Sequence, residues 1–400
     1  MKVLIYWNKN MLAPIGGPNG YLFGLMSQLE RNECDSVEIS FLDKPLPKKS
    51  KLKEYGKQTK NRFLSSVAQI LKIYFHHKRL IGILKNKKTP EVDLNEYDVI
   101  HFHATMHLYQ LRDCLKDYKG KVVLTSHSPQ PLSMELIEEG SGFERNFFRK
   151  EYSKLIEMDQ YAFERADYIL FPCEHADEPY DHQWSDYKRI KESRKDCYRY
   201  LVTGTAPAKI VTDRIDVRRK LNIPDDAFVI SYVGRHNKIK GYDRLKDICK
   251  EFLEAHPDVY VVVAGKEEPI KGLDHPHWIE IGWTNEPHSY VNASDVFVLP
   301  NRETYFDLVL LEVLSTGKIA VISETGGNKY FKRFENAGIE YFSNTPSAVS
   351  ALEKVYRMSG SERQEKEKRN KDIYTSCFTT AVFAKNYIDF YKTIALEKTE

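Results

Sequence analysis

Arg235 and Lys240 stand close together in Gly234-Arg-His-Asn-Lys-Ile-Lys240-Gly241, directly after the apolar run Phe228-Val-Ile-Ser-Tyr-Val233. Two cations at one loop mouth suit a diphosphate, because Arg offers a planar fork to two oxygens and Lys a mobile point charge. The same pair would stabilise charge building on a leaving diphosphate, work that a metal ion can do elsewhere. A second constellation runs from Pro300 to Gly317. Asp295-Val-Phe-Val-Leu299 reads as a buried parallel strand ending at Pro300. After the polar loop comes Leu308 to Ser315, apolar at 308, 310, 311, 313 and 314, with the acid Glu312 set among them and Gly317 as the stop. A strand, a loop and a helix N-terminus make a ready anion and ligand site. Glu312 lies more than a turn inside that helix, and its type alone leaves two readings open, a solvated helix acid or a ligand group.

Other chemistry-bearing residues sit where strands should end. Lys2-Val-Leu-Ile-Tyr6 reads as a first buried strand, followed by Gly16-Gly17-Pro18-Asn19-Gly20 and a helix from Tyr21 to Leu29. Paired glycines let a phosphate or sugar approach bare backbone, although a plain turn fits them as well and the dinucleotide pattern G-x-G-x-x-G is not met. His101, His103 and His107 have a spacing that invites zinc, with His101 and His103 on one face of a strand. No carboxylate or cysteine partner is close in sequence, so the reading is a strand end lining a crevice, with no metal. His127 follows Lys121-Val-Val-Leu-Thr125, at the carboxyl end of a strand where α/β sheets place ligand contacts. Alone, it could equally be an ordinary loop histidine.

These groups need a scaffold. Further strands are expected over 36–42, 97–103, 259–265, 279–283 and 318–324, with 166–172 as the last strand of the first half. Helical spacing is expected over 63–84, 143–166, from 242, over 285–293 and over 377–396. Residues 180–198 carry no readable pattern. Strands alternate with helices in two blocks, which is an α/β architecture of two doubly wound domains. A chain of 400 residues is long enough for both. The division is expected at 1–205 and 206–376, with a final helix in 377–400.

Six scattered cysteines (34, 114, 173, 197, 249 and 377) form no C-x-x-C pair, as expected of a reduced cytoplasmic chain. The apolar run after Met1 is too short for a cleaved signal, and no apolar run reaches the roughly 18–20 residues that span a bilayer. Charge is unevenly spread. Lys44 to Lys88 holds fourteen Lys and Arg against Glu54, so this segment is +13 in a chain of net +3. The apolar residues from Phe63 to Leu84 recur among those cations at helical intervals. A basic amphipathic helix of this kind suits an anionic membrane surface, while a solvated helix on the sheet's flank is the plainer alternative. No nucleic-acid motif is present, and no nucleic-acid partner is expected.

The stretch Pro300-Asn-Arg-Glu-Thr-Tyr-Phe-Asp-Leu-Val-Leu-Leu-Glu312, ending at Gly317, resembles the donor-site signature of the retaining GT-B glycosyltransferases, family 4 in particular. Pro300, Phe306, Leu308, Glu312 and Gly317 sit on its frame without a gap. Thr304 stands where the family's first Glu is expected, with Glu303 one place earlier, and Asp307 stands where Gly is usual. Asp tolerates a left-handed backbone better than most residues, which would let that turn survive. The Gly-Arg-x-x-x-x-Lys-Gly loop, the Gly16-Gly17 loop, His127 and the Asp-x-x-His-x-His run ending at His103 match the family as well.

The resemblance implies two Rossmann-like domains facing across a cleft, with the last helix packing back on the first. It implies a metal-independent hexosyl transfer without a cofactor, from a UDP- or GDP-linked sugar to a hydroxyl acceptor. In that picture Glu312 accepts the ribose hydroxyls and Arg235 and Lys240 hold the diphosphate. Trp283 holds the base through its backbone, and Gly16, Gly17 and His127 meet the sugar. Glu303, Thr304, Tyr305, Phe306, Asp307 and Leu308 form the rest of the donor loop, with Glu303 or Thr304 in the first acid's place. Joined to the basic segment, it points to a lipid-linked glycan acceptor and a peripheral position at the inner face of the plasma membrane, in polysaccharide assembly. A soluble transferase with a protein or small-molecule acceptor, and a non-catalytic glycan-binding partner protein, are the alternatives.

Overall fold

The computed structural model describes residues 1–7, 12, 17–29, 36–42, 62–85, 90–127 and 130–397, with side chains of the 62–84 helix from residue 69 onward. Gly16 and most of the basic segment before the helix lie outside the described residues. The chain divides into two units. The first comprises Met1–Phe171, Tyr180–Tyr200 and Ile388–Glu400; the second comprises Pro172–Pro179 and Leu201–Tyr387.

The first unit is built on a parallel sheet of β1 (Lys2–Tyr6), β2 (Glu38–Phe41), β3 (Val99–Phe102), β4 (Lys121–Thr125), β5 (Tyr168–Phe171) and β6 (Tyr198–Tyr200). Their order is β2-β1-β3-β4-β5-β6. β3, β4 and β5 are buried along their length except at Lys121, which is why they read as continuous apolar runs rather than alternating ones. β5 is not the last strand of this unit. Tyr198–Tyr200 adds an edge strand beside it, too short and too polar to stand out as an apolar run. The stretch before it has a clear structural purpose. Tyr180, Trp184 and Tyr187 bury their rings with Phe163 in an aromatic nest, a packing that irregular spacing does not announce. The helical stretch expected over 143–166 is two helices, Gly142–Phe147 and Arg149–Arg165, broken at Phe148.

The second unit holds β7 (Phe228–Val233), β8 (Val259–Ala264), β9 (Trp278–Gly282), β10 (Val296–Leu299), β11 (Ile319–Ser323) and β12 (Ile339–Phe342). All neighbours are parallel, in the order β12-β11-β10-β7-β8-β9. The sheet therefore reverses its winding between β7 and β10. Doubly wound sheets bind ligands at such a reversal, beyond the carboxyl ends of the strands. One face of this sheet packs against the Tyr242–Ala255 and Thr345–Tyr356 helices through Leu245, Ile248, Phe252, Leu352 and Val355. Asp295, just before β10, ties Arg214 and the buried Arg218 at 2.8 and 2.9 Å and accepts the Val229 N–H. This network holds β10 against β7, and with it the two loops that follow them.

Candidate active site

In the second unit the loops after β7 and β10 meet. Gly241 has a φ of +64°, and a Cβ there would lie 1.8 Å from the Pro300 carbonyl oxygen, so both the turn and the close approach require glycine. Arg302 N–H donates to the Ile239 carbonyl at 3.0 Å, lacing the loops together. Lys240 is braced from within its own loop by Asn237, whose side-chain oxygen accepts its N–H at 2.9 Å. Arg235 is exposed. Its guanidinium makes no hydrogen bond or ion pair with the described residues, and its carbonyl accepts the Tyr232 hydroxyl at 2.9 Å.

Asp307 is the residue at which expectation and structure part. Its backbone is extended, with φ −82° and ψ 112°, and nothing at this position calls for the left-handed region. Instead its carboxylate receives the Lys240 ammonium at 2.5 Å and the buried Asn301 amide at 2.7 Å. Burial by itself would raise the Asp307 carboxyl, but the Lys240 charge and these hydrogen bonds bring it below its ordinary value. Lys240 thus already has a counter-charge supplied by the chain itself.

Leu308–Thr316 follows as a helix, with Asp307 at its N-cap and Gly317 left-handed at its end. Glu312 on this helix is partly exposed and hydrogen-bonded to His288 Nε2 at 3.0 Å. His288 belongs to the Pro287–Ala293 helix, and the loop leading into that helix carries Trp283, which is 74% exposed. Glu303 and Tyr305 are half-buried and Thr304 is buried, its carbonyl accepting the Gly327 N–H at 3.2 Å. A Cβ at Gly326 or Gly327 would lie 2.0 or 2.1 Å from the Thr304 or Tyr305 carbonyl oxygen, so bare backbone packs against this loop. Phe306 stacks on Phe331 and anchors the loop in the interior. Glu178 closes the far side, accepting from Gly326 N–H at 2.9 Å and from Lys329 at 2.6 Å.

The first unit gathers a different set at the matching place, where its sheet reverses between β1 and β3. Trp7, His103 and His127 lie at or just past the ends of β1, β3 and β4, and His107 belongs to the Thr105–Gln110 helix. Tyr21 comes from the Pro18–Leu29 helix, just after Gly17. Tyr21 sets its ring edge-to-face on His127 at 4.5 Å, and Trp7 does the same to His107 at 5.4 Å. His101, His103 and His107 are buried. Among the described residues there is no cluster of His, Cys, Asp and Glu able to hold a metal ion.

The structure therefore joins Lys240 and Asp307 directly, and sets Arg235, Glu303 to Leu308 and Glu312 on the loops and helix around them. In the first unit Gly17 and His127 are linked through Tyr21, whose N–H donates to the Gly17 carbonyl at 3.1 Å and whose ring meets His127. Asn301 and His288, both in direct contact with expected site residues, were not singled out from sequence. Asn301 sits beside Pro300 in the motif and was legible as a polar residue at a strand end; His288 carried no signal, since its partner is 24 residues away.

Residues 213–372 match the family model described as glycosyl transferases group 1. That span contains Arg235, Lys240, Trp283 and the whole stretch from Glu303 to Glu312. Among curated proteins, the chain is 26% identical over 256 residues to a D-inositol 3-phosphate glycosyltransferase of Corynebacterium urealyticum, covering 58% of this chain and 56% of that protein. It is 28% identical over 153 residues to the UDP-Gal:alpha-D-GlcNAc-diphosphoundecaprenol alpha-1,3-galactosyltransferase of Escherichia coli, covering 35% and 40%. The chain thus spans about half the length of the curated relatives it matches. Among solved structures, a sucrose-phosphate synthase from Thermosynechococcus elongatus superposes with a TM-score of 0.63 at 15% identity, over 99% of both chains. Two parallel-sheet Rossmann-like domains are the fold of GT-B glycosyltransferases.

Proposed function

We propose that this chain transfers a sugar from a UDP- or GDP-linked donor to a hydroxyl acceptor, as a retaining glycosyltransferase of the family 4 type. The observation that carries the reading is the meeting of the β7 and β10 loops at the point where the second sheet reverses. Lys240 meets Asp307, the N-cap residue of the Leu308–Thr316 helix that carries Glu312, and Arg235 is exposed on the same β7 loop as Lys240. In this reading Glu312 accepts the ribose hydroxyls, Trp283 borders the base, and Arg235 and Lys240 hold the diphosphate. As the glycosidic bond to the donor breaks, charge grows on the diphosphate, and two fixed cations stabilise it. The leaving phosphate oxygen takes the acceptor's proton as the new bond forms on the same face. Glu303 and Thr304 bracket the sugar end of the loop, and a sugar is also the ligand expected of His127 and Gly17.

The acceptor we favour is a lipid-linked glycan, the class printed in the name of the Escherichia coli relative. A surface of the first unit supports it. The Arg62–Leu84 helix buries Leu80 and packs the half-buried Ile73, Ile83 and Leu84 against the cluster of Leu136, Phe148 and Tyr152, yet its other face exposes Ile70, Leu71, Tyr74, Phe75 and Ile81. A surface helix ordinarily turns polar residues outward. Here the apolar residues lie among Lys72, Lys78 and Lys85, all exposed. Beside them Phe143 and Phe147 stack on each other in the open, flanked by the exposed Arg145, Arg149 and Lys150. Ring contacts from His77 through Phe148 to Phe147 connect the two helices. Aromatic and aliphatic groups framed by cations fit an anionic bilayer surface. No helix among the described residues is long and apolar enough to cross a membrane.

The deciding experiment screens UDP-, GDP- and ADP-sugars for binding and slow hydrolysis, with and without EDTA, beside Lys240→Ala and Glu312→Ala. One donor should bind and turn over, and both variants should lose it. If no nucleotide-sugar binds the parent chain, the non-catalytic reading replaces this one. Sedimentation with phosphatidylglycerol vesicles tests the surface: Phe143→Ser with Phe147→Ser should release the protein. Absence of vesicle binding by the parent would favour a soluble acceptor.

A further inference from the structure

His101, His103 and His127 form one hydrogen-bonded and stacked array in the first unit. His101 has both ring nitrogens engaged, Nδ1 with the Tyr391 hydroxyl at 2.7 Å and Nε2 with Thr125 Oγ1 at 2.8 Å. His103 stacks on it with ring centroids 4.2 Å apart. His103 Nδ1 in turn meets His127 Nε2 at 2.8 Å, the two rings only 17° from parallel planes. His103 Nε2 is shut off from solvent and has no hydrogen-bond partner among the described residues.

Burial first, and then the neighbouring histidines 101, 127 and 107, hold His103 well below its ordinary pKa, so the ring is neutral and carries one N–H. If that proton sat on Nε2, a buried donor would go without an acceptor, an arrangement native interiors rarely tolerate. With the proton on Nδ1, only a lone pair is left unmet, the smaller cost. His103 Nδ1–H then donates to His127 Nε2, and His127 must carry its own proton on Nδ1. A charged His127 would have to donate from Nε2 into His103 Nδ1, which drives the His103 proton back to the orphan position.

We propose that His103 is a positioning residue that fixes His127 in the Nδ1–H tautomer, so that His127 meets its ligand as a neutral hydrogen-bond donor. That the ligand is a sugar rests on the transferase reading; the tautomer does not. A donor to a sugar hydroxyl oxygen discriminates by geometry without bringing a charge beside the transferring carbon, and it cannot serve as a base through Nε2, which is already occupied.

The test is a two-bond proton–nitrogen correlation spectrum of the full chain labelled with 15N-histidine, with His127→Gln used to locate the His127 signals. At neutral pH the expected result is a protonated Nδ1 and a bare Nε2 on His127. His103→Asn places an amide N–H where Nδ1–H stood and should keep that pattern. His103→Asp presents an acceptor and should move the His127 proton to Nε2. A His127 protonated on Nε2 in the parent protein overturns the proposal, and so does a pattern unchanged in a folded His103→Asp. Should the Asp variant not fold, His103→Leu serves in its place, and there the His127 signals should split between tautomers. Where a donor has been found, His103→Leu should lower kcat/KM by about tenfold and His103→Asn should restore it, the size expected for one hydrogen bond. The spectrum needs no turnover, so a failure of the transferase reading leaves this test standing.

Discussion

The two sheets reverse their winding at equivalent places, and the groups gathered there could hardly differ more. In the second unit the reversal between β7 and β10 carries Arg235, Lys240 and Asp307, full charges with a helix N-terminus behind them. In the first, the reversal between β1 and β3 carries His103, His107, His127, Trp7 and Tyr21, with the buried His103 imidazole held neutral. One arrangement suits a polyanion and the other an uncharged, hydroxyl-bearing ligand with an apolar face. The same backbone topology supports either, because the side chains at strand ends, and not the strands, set the chemistry.

That contrast can be broken most forcefully at Lys240. In the proposed reaction Lys240→Ala removes one of two cations from a developing diphosphate, and kcat/KM for the donor found in the screen should fall by about 10²–10³-fold. A fall of less than about threefold would mean that the charged site is not where the diphosphate leaves. Glu312→Ala should act on binding, weakening the nucleotide by about 10–100-fold in calorimetry, as expected for hydrogen bonds to a charged group.

Acid should separate the units. His101 and His103 have pKa values pushed down by burial and then by neighbouring histidines, so below the ordinary value of 6.5 the unfolded chain binds protons that the folded chain refuses. Stability of the first unit should therefore fall as pH drops below about 6.5, by up to about 1.4 kcal/mol per pH unit for each histidine. Asp307 is also depressed, but for a carboxyl this means stabilisation that persists above the ordinary value of 3.8 and is lost only as pH falls below it. Burial also lowers the pKa of His236, just after β7, so the second unit shares part of this loss. Hydrogen exchange at pH 7.5 and 5.5 should show β3 and β4, which answer to two such histidines, loosening more than β7 and β10. Equal loosening in both units would remove the distinction. The smallest effect is expected from Asp307→Asn. It frees Lys240 from its internal counter-ion, and the nucleotide diphosphate should bind about fivefold more tightly, the size of one partly exposed ion pair. Weaker binding would show instead that Asp307 helps to place the donor.

Much of the scaffold could be read directly. Val99–Phe102, Phe228–Val233 and Val296–Leu299 are buried on both faces, and such strands leave an unbroken apolar record in the chain. The Pro18–Leu29 and Leu308–Thr316 helices were likewise legible, since periodicity and a glycine stop are local properties. Tyr198–Tyr200 and Ile339–Phe342 were not, being edge strands with mixed composition. At the site, residue type and position marked Arg235, Lys240 and Glu312 only as candidates, and it was the resemblance that joined them into one expected donor site.

Sequence by itself determined the buried strands and the helices with clear periodicity, and which polar residues fall at their ends, because those choices depend on neighbours a few positions away. Only tertiary structure decided that Asp307 would be an extended carboxylate on Lys240 rather than a left-handed turn residue. It likewise decided that Glu312 would meet His288, and that His103 would lock against His127. Each of these pairs spans 24 residues or more. Their geometry depends on strand order and on how closely two backbones approach, which no local pattern encodes.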